Sequence, residues 1–89
     1  MNMTVINYID NLTFTEFQNI INHYEIGIEE EDSHIIYSII KNNIFALLDD
    51  QYHDILYHYI QKKTSISTCQ KIRKLISEYK FYFKVPVNV

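Results

Sequence analysis

The sequence predicts an all-α fold: a compact bundle of four or five short helices in orthogonal packing, with a short extended C-terminal tail. Only one glycine and one proline occur among 89 residues, whereas a β-rich fold needs turn residues at its corners. Hydrophobic residues make up 47% of the chain, which is enough for a packed core. They recur at the three- and four-residue spacing of amphipathic helices. We therefore expect one helical domain over residues 1–89, with about 84–89 as the tail.

The N-terminal third carries the clearest local signals. A first helix is predicted at about residues 3–11 from its apolar spacing. Thr13 and Glu16 have the spacing of a capping box and predict the start of a second helix, whose apolar positions continue to Tyr24. Gly27, the single glycine, is expected to supply the positive φ that ends or follows this helix.

Four consecutive acids, Glu29 to Asp32, directly precede the third apolar segment. Their position predicts the first turn of a helix from about Glu30 to Lys41 or Asn42, where negative charge complements the unpaired N–H groups. The inward stripe of this helix, extended beyond its end, is expected to comprise Ile35, Ile36, Ile39, Ile40 and Phe45.

Two further helices are predicted in the C-terminal half. The fourth spans about residues 50–63, and its expected core face consists of Tyr52, Ile55, Leu56, Tyr59 and Ile60. A hydroxyl of Thr64, Ser65 or Ser67 is expected to cap the next helix. That last helix, about 66–83, would bury Ile66, Cys69, Ile72, Ile76, Tyr79 and Phe83, with Leu75 and Tyr82 widening the face.

Several short motifs resemble one known family. They are "LTFTEF" at Leu12–Phe17, "YEIGI" at Tyr24–Ile28, "NIF" at Asn43–Phe45, and the spacing from "DDQYHDIL" through "KKTS" to "KIRKLI" at Lys71–Ile76. Together they resemble the YqfT-like family of small uncharacterised Bacillales proteins. "ALL" after Phe45 looks like an insertion relative to that family, and Ile66 replaces a frequent proline. The resemblance implies a small helical protein from a low-GC Gram-positive bacterium, without functional residues to transfer.

Charge is unevenly distributed along the chain. Residues 1–61 hold ten acids and one base, a charge of −9, whereas residues 62–89 hold seven bases and one acid, a charge of +6, which together give −3. Either the basic last helix docks on the acidic body, or the surplus charge meets a partner. The sequence leaves both explanations open.

No residue pattern indicates catalysis, a metal or a cofactor. Asp50, Asp54 and His58 share one helix face, which we interpret as solvated because two carboxylates and one imidazole form an incomplete ligand set. Cys69 is the only cysteine, so no intramolecular disulfide forms, and its apolar neighbours predict a small buried thiol. We therefore expect a protein that is not an enzyme.

The remaining hypotheses concern partners. We expect a cytoplasmic chain, because no signal peptide or membrane-spanning segment is apparent. The leading hypothesis is a non-catalytic interaction or regulatory module that binds an unidentified protein or forms a homodimer, because tyrosine is abundant and favours interfaces. Nucleic-acid binding through the basic helix is the alternative, and an acidic DNA mimic of the phage-inhibitor type is the third. The candidate surface comprises Glu29, Glu30, Glu31, Asp32, Tyr37, Tyr57, Lys71, Arg73 and Lys74.

The acidic segment bears on one DNA-binding arrangement. The second and third predicted helices, joined by a short turn with a glycine, resemble a helix-turn-helix. In that arrangement the N-terminal end of the second helix of the motif enters the major groove, and here that end carries Glu29 to Asp32. Because carboxylates are repelled by phosphates, a helix-turn-helix at this place is excluded on charge.

Overall fold

The computed structural model describes residues 3–83, and six α-helices follow one another in that range. They are α1 (Met3–Asp10), α2 (Phe14–His23), α3 (Glu30–Asn42), α4 (Ile44–Leu48), α5 (His53–Lys63) and α6 (Ile66–Lys74). A 3₁₀ turn (Asp50–Tyr52) leads into α5, a π-helical turn (Leu75–Tyr79) extends α6, and a second 3₁₀ turn (Phe81–Phe83) closes the described chain. These residues contain no β-strand, so the all-α prediction is confirmed. The predicted tail, 84–89, lies outside the described residues.

One hydrophobic core receives a fully buried side chain from every helix. These side chains are Ile9, Phe17, Ile36, Leu47, Ile60 and Ile72. Burying an aliphatic or aromatic side chain of this size contributes about 1.5–3 kcal/mol to folding. The last 3₁₀ turn packs against α1, and the Phe81 ring lies 6.3 Å from the Phe17 ring. The C-terminal part of the described chain therefore returns to the N-terminal helices and completes the core.

The capping box at the start of α2 is confirmed. The backbone N–H of Thr13 donates to Oε1 of Glu16 at 3.0 Å, and the N–H of Glu16 donates to Oγ1 of Thr13 at 3.1 Å. The hydrogen bond from the Thr13 backbone, followed by the one from its hydroxyl, holds the pKa of Glu16 below its usual value. Two N–H groups that the helix leaves unpaired are thereby satisfied by residues three positions apart.

The expectation for Gly27 is wrong, because Glu25 takes the positive φ at the end of α2. Glu25 has a φ of 56°, its N–H donates to the carbonyl of Asn22 at 3.1 Å, and the N–H of Ile26 donates to the carbonyl of Ile21 at 2.9 Å. This is the Schellman arrangement. It is fixed by the burial of Ile26 against the core, which leaves Gly27 two residues too late in the chain to form the cap.

Helix α5 presents a different face to the core from the one predicted. Ile55 is 69% exposed, and Tyr52 and Tyr59 are each 44% exposed, whereas Leu56, Tyr57 and Ile60 are buried. The helix has apolar residues on more than one side, and the packing of α5 on α6 selects the side that carries Tyr57. Phe45, also expected to point inward, is 62% exposed on α4.

The last predicted helix ends earlier than expected. Lys80 has a φ of 45°, and its N–H donates to the carbonyl of Leu75 at 3.0 Å, which closes the π-helical turn. The chain then reverses, so that Phe81 and Tyr82 are buried. Ser65 caps α6 as expected, through a 3.1 Å hydrogen bond from the N–H of Thr68. Ile66, however, is 61% exposed and does not join the buried face.

Replacing Glu25 with glycine is expected to stabilise the protein. A non-glycine residue in the left-handed region is strained, and glycine relieves that strain at some cost in chain entropy, so the free energy of unfolding should rise by about 0.5–1 kcal/mol. Gly27→Ala is the matched control: its φ is not positive, and an added Cβ would meet no atom within 4 Å. Its effect should be neutral or slightly stabilising. Urea denaturation measures both, and a destabilised Glu25→Gly would contradict this assignment of the cap.

Candidate functional site

The four acids lie at the start of α3, as the sequence predicts, but they do not act as one group. Glu29 is the N-cap and makes no side-chain capping hydrogen bond, and Glu30 and Glu31 are exposed in the first turn. Asp32 is half-buried and accepts a 2.8 Å hydrogen bond from the hydroxyl of Thr68. Asp32 therefore joins α3 to α6, and three carboxylates remain in solvent.

The basic residues of α6 point to different sides of the helix. The Lys71 ammonium donates to the carbonyl of Gly27 at 2.6 Å, whereas the guanidinium of Arg73 lies 5.1 Å from the centre of the Tyr57 ring. The Lys74 ammonium lies 5.9 Å from the Tyr79 ring. These three bases therefore do not form a continuous stripe.

The acidic and basic parts of the chain meet through hydrogen bonds. Within residues 3–83 the ion pairs closer than 4 Å are His34–Glu30, at 3.9 Å, and His53–Asp50, at 3.5 Å. Neither joins an acid of α3 to a base of α6. The contact of α6 with the acidic part rests instead on Thr68 and Lys71, so charge complementarity acts there only over longer distances.

Tyr37 and Tyr57 do not share an exposed surface, contrary to the prediction. Tyr37 is half-buried, and its hydroxyl donates to the carbonyl of Leu12. Its ring packs on Phe17 with 5.8 Å between ring centres. Tyr57 is 6% exposed, because α5 turns it toward α6. The sequence could not reveal this, since either face of α5 is apolar enough to be buried.

An apolar groove runs between α3 and α5, and we call it the α3–α5 groove. It consists of two adjoining hollows of about 300 and about 360 Å³ that share Tyr59. The apolar side chains that line it are Ile35, Ile39, Ala46, Tyr52, Ile55, Leu56 and Tyr59. At one end the Lys63 ammonium lies 5.6 Å from the Tyr59 ring. The sequence signal for this groove was the stripe of α5 that had been assigned to the core.

A polar cleft lies on the other side of α5, and we call it the α5–α6 cleft. It has a volume of about 280 Å³, and its charged and hydroxyl-bearing walls are Asp50, His53, Asp54, Tyr57, Arg73, Ser77, Lys80 and Tyr82. His53 lies at its edge, where Nε2 is 2.6 Å from the carbonyl of Leu47. A carbonyl oxygen only accepts, so Nε2 carries a proton and Nδ1 faces Asp50.

The phenol of Tyr57 lies beside this cleft without a hydrogen-bond partner in the described part of the chain. Burial raises its pKa, and Arg73 opposes this rise. Burial also raises the pKa of Tyr82 to about 12. Both phenols are therefore neutral at physiological pH and can donate a proton to a hydrogen bond.

Cys69 is a buried free thiol, as the sequence predicts. Its Sγ donates to the carbonyl of Tyr57 at 3.1 Å, and burial raises its pKa, which disfavours the reactive thiolate. Asp50, Asp54 and His58 are exposed. Among residues 3–83 no three His, Cys, Asp or Glu side chains come together in a geometry that could hold a metal ion.

The comparisons with known proteins identify no relative. No protein-family model matches the chain, and no curated protein or solved structure matches it significantly. The resemblance to the YqfT-like family thus stays a prediction. None of the helices in the described range is both long enough and apolar enough to cross a bilayer.

The buried phenol of Tyr82 makes folding sensitive to alkaline pH. Its folded pKa of about 12 lies above the unfolded value of about 10. Its contribution to stability is therefore complete below pH 10 and is lost as pH rises toward about 12. The free energy of unfolding should fall less steeply over this range in Tyr82→Phe than in the parent.

The exposed Tyr52 provides the control for this experiment. Tyr52→Phe should show the same alkaline decline as the parent, because the Tyr52 side chain is 44% exposed. The measurement is urea denaturation at a series of pH values. An unchanged slope in Tyr82→Phe would contradict the assigned burial of this phenol.

Proposed function

We propose that the protein is a non-catalytic interaction module and that it associates with a second copy of itself through the α3–α5 groove. One observation supports this proposal above all: Ile55, Tyr52 and Tyr59 are 69%, 44% and 44% exposed and lie along the same side of α5. Their spacing of three and four residues makes a continuous stripe about two helical turns long.

The composition of the groove favours a protein partner. An apolar patch of several side chains costs free energy in water, and contiguous patches on monomers are often interaction sites. Tyrosine suits such a site because it offers a large contact area at low entropic cost and keeps a hydroxyl for water or for the partner. The groove is also concave, so a protruding apolar side chain can fill it.

The arrangement around the groove is self-complementary, which favours a second copy as the partner. Ile55 projects beside a hollow of about 300 Å³ on the same face, so each copy offers both a projection and a recess. Glu31 is exposed on α3 one turn before Ile35, and Lys63 flanks the same end of the groove on α5. A twofold axis through the groove places Glu31 of each copy opposite Lys63 of the other.

The size of the patch implies weak association. A standard complex buries roughly 800 Å² on each partner, and smaller interfaces are transient. The apolar stripe supplies less than this area, so we expect a dissociation constant on the order of 10–100 µM. The dispersed bases of α6 and the use of Asp32 in a hydrogen bond to Thr68 do not favour the nucleic-acid alternatives.

Sedimentation velocity over a range of protein concentration tests the proposal. The parent should shift from monomer to dimer as concentration rises. Ile55→Glu should remain monomeric, because it places a carboxylate in the centre of the groove. Ile66→Glu is the matched control, since Ile66 is a similarly exposed isoleucine, at 61%, outside the groove. It should dimerise like the parent.

Charge exchange tests the orientation of the dimer. Glu31→Lys and Lys63→Glu should each weaken association, and the double variant should restore it. A parent that stays monomeric at the highest concentration, or an Ile55→Glu variant that dimerises normally, would contradict self-association through this groove.

A further inference from the structure

We propose that the α5–α6 cleft binds a small molecule that carries both a carboxylate and an ammonium group, of the class of free α-amino acids with an apolar side chain. This binding site is independent of the self-association proposed above. The α3–α5 groove lies on the side of α5 that carries Ile55 and Tyr59, whereas the cleft lies on the side that carries Asp54 and Tyr57.

The first reason is the hydroxyl of Tyr57. The residue is 6% exposed, lines the cleft, and its hydroxyl has no hydrogen-bond partner within residues 3–83. A buried polar group without a partner is costly and uncommon in folded proteins. A ligand oxygen accepting from this hydroxyl would remove the cost, and a carboxylate is the strongest such acceptor.

The second reason is the presence of opposite charges that do not pair with each other. Arg73 and Lys80 line the α6 side of the cleft, and Asp50 and Asp54 line the α5 side. No ion pair within 4 Å joins these two sides in the described chain. Asp50 approaches His53 instead, and the Arg73 guanidinium stacks on Tyr57. A ligand with both charges can span the gap between the two sides, with its carboxylate at Arg73 and its ammonium at Asp54.

The third reason is the size and composition of the cleft. A volume of about 280 Å³ lies just below the usual range of small-molecule pockets, so the ligand must be small. Ile76 and the ring of Tyr82 line the cleft and are 0% and 2% exposed. This apolar part favours an aliphatic side chain over a second charged group. The backbone around Lys80 is held by the bond to Leu75, so the basic wall is preorganised.

The test uses L-leucine as the probe and two derivatives as matched controls. Amide resonances of the ¹⁵N-labelled full chain are followed as each compound is added. L-leucine should shift resonances of α5 and of the segment from Arg73 to Tyr82. N-acetyl-L-leucine lacks the ammonium and L-leucinamide lacks the carboxylate, so each should bind at least about tenfold more weakly. Absence of shifts with L-leucine, or equal binding of all three compounds, would overturn the proposal.

Variants locate the site. Tyr57→Phe removes only the unpartnered hydroxyl, so it should keep or raise the melting temperature while weakening L-leucine binding about tenfold. Arg73→Gln should weaken binding by a similar factor. Lys74→Gln is the control, because Lys74 lies over Tyr79 and does not line the cleft; it should bind as the parent does.

The two variants also separate a binding role from a structural one. If Tyr57→Phe lost binding together with stability, Arg73→Gln would decide, since Arg73 is exposed and its replacement should not unfold the chain. Parent-like binding of L-leucine by Arg73→Gln would place the ligand elsewhere and overturn the proposal.

Discussion

The packing of α5 against α6 is the constraint on which the rest of the structure depends. It buries Leu56, Tyr57 and Ile60, and the thiol of Cys69 fixes the contact by donating to the carbonyl of Tyr57. Because a helix can bury only one side fully against such a partner, the stripe that carries Ile55 must lie outside. The same orientation places the Arg73 guanidinium over the Tyr57 ring. One packing choice therefore creates both the apolar groove and the polar cleft.

The parts of the fold that the sequence predicted correctly are those determined over a few residues. Thr13 and Glu16 are three positions apart, so their reciprocal hydrogen bonds need no tertiary information. The face of α5 could not be predicted in this way, because its choice depends on a partner helix that follows in the chain. The cap of α2 was also missed, since burial of Ile26 outweighed the preference for glycine and left Glu25 with the positive φ.

The candidate site was less predictable than the fold for a related reason. Charged residues that looked available for a partner, such as Asp32 and Lys71, are used in contacts between α3, α6 and the loop that precedes α3. Arg73 was correctly singled out, but its surroundings depend on the buried position of Tyr57, which periodicity had placed at the surface. Binding surfaces on so small a domain thus follow from which apolar stripes remain after the core is filled.

The most direct test of this account compares lysine substitutions at two adjacent positions of α5, measured by urea denaturation at low protein concentration. Ile55 is 69% exposed and Leu56 is 4% exposed. Ile55→Lys should change the free energy of unfolding by less than about 0.5 kcal/mol. Leu56→Lys should lower it by about 3 kcal/mol or more, because it buries a charge and removes core contacts. Equal losses, or a greater loss for Ile55→Lys, would contradict the orientation of α5 and with it both proposed surfaces.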